Sequence, residues 1–170
     1  MSGRRLEARV ILIGLAGIQL VNGIWATVAP ASFYEDFPPG IGGWVSALPA
    51  YNEHLMRDVG ALFLATGFVL LAAAVWLERR LVAIALVSYL LFSVPHAIFH
   101  LFNLEPYGTG DGIGNVLALA ATVLLPIWLL SVLWRQGATP PQASAGASDG
   151  GEARVGAARE GVSRPSPPAA

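Results

Sequence analysis

Four stretches of about twenty residues, 10–29, 54–77, 81–104 and 113–134, contain no Asp, Glu, Lys or Arg beyond Arg57 and Asp58. As helices rising ~1.5 Å per residue, each is about 30 Å long, the thickness of a bilayer's hydrocarbon core. In lipid, every backbone N–H and C=O must be satisfied within the protein, and a helix does this inside a single stretch. The pattern therefore predicts an all-α integral membrane protein, a four-helix up-down bundle covering residues 1–135. Composition agrees: 55% of residues are hydrophobic and 12% charged, and the mean hydropathy is +0.59.

The first run follows Arg4, Arg5 and Arg9 and ends near Ala29-Pro30-Ala31, an arrangement shared with signal peptides. A signal core spans only ~7–15 residues, and Gln19 and Asn22 interrupt this run, so it reads as a retained span. Residues 30–52 read as a loop punctuated by Pro30, Pro38, Pro39, Gly40, Gly42, Gly43 and Pro49. Its aromatics, Phe33, Tyr34, Phe37, Trp44 and Tyr51, suit the headgroup level of a membrane. Glu78-Arg79-Arg80 leaves almost nothing between the second and third runs, which predicts a tight hairpin. Residues 105–112 are turn-rich. Residues 136–170 are Ala, Gly, Pro and Ser with scattered charge, a composition that buries no core and predicts a disordered cytoplasmic tail.

Arg4, Arg5, Arg9, Arg79, Arg80 and Arg135 fall on one side of such a bundle, and Arg57 alone falls on the other. The positive-inside rule then predicts a multi-pass plasma-membrane protein with both termini cytoplasmic. A net charge of −1 argues against nucleic acid as a partner. The absence of cysteine excludes disulfides and thiolate metal sites.

Polar residues inside a bilayer are costly and normally face the bundle interior. On the third span Ser93, His96, His100 and Asn103 share one helical stripe, and on the second His54 and Asp58 lie four apart, as do Glu53 and Arg57. Counting ~1.5 Å per residue from the Arg anchors places Asp58, His100 and Asn115 level at ~27–29 Å, with His96 and Asn22 deeper. These positions predict an outward-facing pocket with Asp58 opposite His100, surrounded by Asn22, Glu53, Arg57, Asn103 and Asn115. Three chemistries fit the pattern. An ion-pair and hydrogen-bond network would fix helix register. His54, Asp58, His96 and His100 could ligate Zn, Cu or Fe, or a His could hold haem. A carboxylate–imidazole pair could serve an acid–base enzyme or a quinone or lipid site. No residue can be assigned as catalytic, and the balance leans away from an enzyme.

The segment Val28-Ala29-Pro30-Ala31-Ser32-Phe33-Tyr34 after a first span carrying Gly17 and Gly23, with the Asn52–Gly60 and Pro95–His100 stretches, resembles the small four-helix bacterial membrane proteins called DoxX-like. That resemblance implies an accessory or binding role in a membrane protein complex or homo-oligomer, with a membrane redox partner, and identifies no catalytic residue.

Overall fold

A computed structural model of the chain describes residues 3–48 and 50–137. It contains five helices: α1 (Gly3–Val28), α2 (Pro30–Asp36), α3 (Glu53–Trp76), α4 (Arg79–Phe102) and α5 (Thr109–Gly137). There are no strands among the described residues. α1, α3, α4 and α5 are each long and apolar enough to cross a membrane. The expected disordered tail lies outside the described residues, save 136 and 137, which end α5.

The long helices pack α1 on α3, α3 on α4 and α4 on α5, with a slighter contact between α1 and α5. Individual contacts give their directions. Arg9 near the start of α1 reaches the carbonyls of Ala74 and Val75 near the end of α3, and Gly23 lies against Gly60, so α1 and α3 are antiparallel. Phe63 meets Phe92 edge-on at 5.2 Å, and the short connection that folds α4 back along α3 makes these two antiparallel as well. The turn between them is two residues, Leu77 and Glu78. Leu77 ends α3 in the left-handed conformation (φ 50°) with its N–H on the Ala73 carbonyl. One end of the bundle thus carries the arginines; the other, the lid end, carries α2 and the loop after it.

The core is small and divided. At the arginine end Leu12, Leu15, Ala16, Leu70, Ala73, Val82, Leu86 and Leu129 form a dry cluster. At the lid end Ala26, Phe33 and Phe63 form a second, with Trp25, Phe37 and Phe92 against it. Much of the remaining apolar surface faces outward: Leu91 is 74% exposed and Phe68 68% in mid-helix. Water would penalise such a surface by ~25 cal/mol per Å². Lipid does not.

Close approach of α1 and α3 depends on small residues. A Cβ on Gly60 would lie 2.5 Å from the Thr27 hydroxyl and 2.8 Å from its backbone N, and one on Gly23 would lie 2.9 Å from the Gly60 carbonyl. Spacing alone assigns Gly14 and Gly17 the same packing role; both instead face open space. They sit on the outer side of α1, opposite the Leu12, Leu15 and Gln19 stripe that α3 covers.

Two boundaries differ from the sequence expectation. The 30–52 loop begins with a true helix, α2, started by Pro30 at its first position, where proline's fixed φ and missing N–H cost nothing; burial of Pro30 and Phe33 holds it. α5 starts at Thr109, inside the turn-rich segment, with Asp111 in its first turn, where a carboxylate suits the helix dipole.

Candidate functional site

Of the α4 stripe, Ser93 and His100 are buried, while His96 and Asn103 are half-buried. Ser93 is 2% exposed and His100 9%, and Asn115 on α5 is 3% exposed. The imidazoles of His96 and His100 are adjacent, with ring centroids 4.6 Å apart and nearly perpendicular. Phe92 stacks on His96 at 5.2 Å. Deeper, the Tyr89 side chain of α4 lies beside that of Thr122 on α5, whose hydroxyl donates to the Leu119 carbonyl at 2.8 Å. Two helical turns toward the lid end from that pair, on the same faces, come His96 and Asn115. The antiparallel interface therefore sets His96 and Asn115 level with one another. Polar side chains line this interface from Asp111 and His100 down to Thr122 and Tyr89, ~16 Å along the helices, and stop at the leucine cluster.

A lid closes the outer mouth of this seam. α2 and the loop after it run from the end of α1 to the start of α5. Phe33 packs edge-on against Trp25 at 5.5 Å and lies 5.1 Å from Phe37. Phe37 in turn contacts Trp44 at 6.5 Å. The Trp44 indole lies against Gly114 and donates its Nε1–H to Asp111 Oδ1 at 3.3 Å. The Tyr107 hydroxyl, in the α4–α5 loop, donates to the Trp44 carbonyl at 2.7 Å and stands 3.4 Å from His100 Nδ1. Burial pushes that hydroxyl above the ordinary tyrosine value of 10.0.

Tyr107 has one hydroxyl proton, and a carbonyl can only accept it. Toward His100 the same oxygen is therefore placed to accept, an arrangement that favours the tautomer with its proton on Nδ1. Three buried side-chain atoms have no hydrogen-bond partner among the described residues: Gln19 Nε2, Ser93 Oγ and Asn115 Oδ1. Gln19 lies against Gly67 of α3, on the α1–α3 side of the bundle and at about the depth of Tyr89 and Thr122.

The other predicted residues stand apart. Asp58 does not oppose His100: its carboxylate is 2.9 Å from His54 Nε2, and the two side chains are 66% and 85% exposed. Arg57 pairs with Glu53 at 2.8 Å and donates to the Thr27 carbonyl. These four line an open cleft of about 460 Å³ at the lid end. The reason is rotational. α3 turns its small and aromatic face, Gly60, Phe63, Gly67 and Leu70, to its neighbours, and Asp58 lies two residues from Gly60, ~200° round the helix. An exposed pair is worth ~0–1 kcal/mol, so Asp58→Ala should shift the midpoint of a detergent unfolding titration by less than ~1 kcal/mol.

Asn22 is half-buried, and Asn103 ends α4 by donating to the Phe99 carbonyl at 2.7 Å. Among the described residues no group of three or more His, Asp or Glu side chains is positioned to hold a metal ion, so the two His-containing pairs do not form one ligand set. Sequence reasoning passed over Tyr107 and Trp44. Both sit in loops, where no periodicity relates them to His100.

Compared with known proteins, the chain matches no family model, no curated protein and no solved structure.

Proposed function

We propose that this chain is a multi-pass membrane protein, an up-down bundle with its arginine end in the cytoplasm, that binds a small polar molecule or headgroup in the seam between α4 and α5. The observation that carries the reading is the set of unpartnered buried atoms. Each such atom costs about 1–3 kcal/mol in a folded protein, and native structures keep few of them without a use. The set is chemically mixed: an amide N–H donor on Gln19, a carbonyl acceptor on Asn115 and a hydroxyl on Ser93. By helix register Ser93 and Asn115 lie about one turn apart in depth, so a hydroxyl-bearing or amide-bearing ligand, able both to give and to accept, answers both. The resemblance of the sequence to DoxX-like proteins implies the same binding role, beside a partner in a membrane complex.

Ser93→Ala tests this, since it deletes one hydroxyl from a helix and little else. In a ligand site the empty protein gains stability, by about 1 kcal/mol in a detergent unfolding titration, and a small molecule co-purified with the wild type is diminished in its mass spectrum. In a purely structural network the variant loses stability and nothing co-purifies with the wild type. The second result would end the proposal.

A further inference from the structure

At the other end of the molecule, α1 and α3 leave a groove of about 320 Å³ lined by Arg9, Ile13, Leu71, Ala74 and Val75. Its walls are apolar and open to the outside, with Ile13 50% and Val75 59% exposed. Its head is a fixed cation. Arg9 is half-buried, and its guanidinium lies across the end of α3, Nε donating to the Ala74 carbonyl at 3.1 Å and Nη2 to the Val75 carbonyl at 3.4 Å. The Nη1 nitrogen makes no bond among the described residues. Arg79 and Arg80 follow within two turns, and this end of the bundle carries six arginines against two acids, Glu7 and Glu78.

We infer that this groove holds one anionic phospholipid, its phosphate on Arg9 and an acyl chain along Ile13, Leu71 and Val75. The inference rests on the membrane-spanning reading and is independent of the seam. Charge complementarity selects the headgroup: a guanidinium presents planar paired donors to phosphate, and a surplus of arginine attracts anionic over zwitterionic lipid. The apolar walls select a lipid over a free anion, since a phosphate ion alone leaves Ile13, Leu71 and Val75 uncovered. Two bonds to α3 also hold the side chain in place before the lipid arrives, which lowers the entropy lost on binding.

Native mass spectrometry of the full chain in detergent, titrated with phosphatidylglycerol or with phosphatidylcholine of the same acyl chains, tests it. The wild type should retain one phosphatidylglycerol with a roughly five-fold or greater preference. Arg9→Gln should lose that preference, while Arg5→Gln, on the exposed first turn of α1, should keep it. Because Arg9 also braces α1 against α3, Leu71→Trp serves as a second probe: it fills the groove, leaves Arg9 in place and should abolish the retained lipid. Equal retention of both lipids by the wild type overturns the inference, as does an unchanged preference in both Arg9→Gln and Leu71→Trp. A chain recovered in the aqueous fraction without detergent would instead overturn the membrane reading beneath it.

Discussion

Gly60→Ala should lower stability by about 1–3 kcal/mol, whereas Gly17→Ala should change it by no more than ~0.5 kcal/mol. The two substitutions add the same methyl group to membrane-spanning helices. They differ in what that methyl meets. At Gly60 it meets the backbone N of Thr27 at 2.8 Å and the carbonyl of Gly23 at 3.0 Å, and backbone cannot step aside as a side chain can. α1 must move away from α3, loosening the contacts beside the crossing and the bond from Arg57 to the Thr27 carbonyl. At Gly17 the methyl meets nothing within 4 Å. Gly67 should fall between, because the nearest atoms there belong to the Leu20 side chain, which can rotate. A detergent unfolding titration of the three variants reads this order directly. Equal losses at Gly17 and Gly60 would mean that α1 and α3 do not cross at Gly23 and Gly60.

Tyr107→Phe should free the lid while sparing the bundle. The hydroxyl joins the Trp44 carbonyl to His100, and phenylalanine leaves both groups without it. A buried hydrogen bond is worth about 0.5–1.5 kcal/mol net, with a larger penalty for partners left unsatisfied. The open-lid population should therefore rise by on the order of ten-fold. Hydrogen exchange of the 37–48 amides should accelerate by that factor while amides of α3 and α4 keep their protection, and His100 should become more reactive toward diethylpyrocarbonate. Unchanged exchange in the loop would show that aromatic packing alone holds it. A pH dependence follows with a definite sign. Burial raises the hydroxyl above 10.0, so the closed lid favours the protonated form. Its contribution is complete below pH 10 and is lost as pH rises through the raised value. Lid protection, corrected for the intrinsic chemistry of exchange, should be flat across neutral pH and fall only in strong alkali.

The long helices were legible in the sequence because length and apolarity alone determine them: the runs 54–77 and 81–104 lie within two residues of α3 and α4. The α4 stripe of Ser93, His96 and His100 was legible for the same reason, since a helix makes spacing into geometry. Rotation was not. Whether Asp58 faces inward depends on which neighbour Gly60 and Gly67 admit, and that pairing is a tertiary fact. Gly14 and Gly17 mislead in the same way, since small residues permit close approach without requiring it. The lid was the least legible part. α2 is seven residues long and is held by burial of Phe33 rather than by periodicity, and Tyr107 reaches His100 across a turn whose path no spacing rule describes.

The turn of Leu77 and Glu78 bears on how the protein is made. A link of two residues cannot stretch between a helix already released into lipid and another still within the insertion machinery. α3 and α4, each of 24 residues, must therefore leave for the bilayer as one preformed hairpin, after the ribosome has completed both. In the orientation proposed above, Arg79 and Arg80, just past the bend, would hold its tip on the side where synthesis takes place. In that orientation the charges on α3 at the opposite end, Glu53, Arg57 and Asp58, would cross only in the company of α4. The order of biosynthesis is thus written into the shortest connection in the chain.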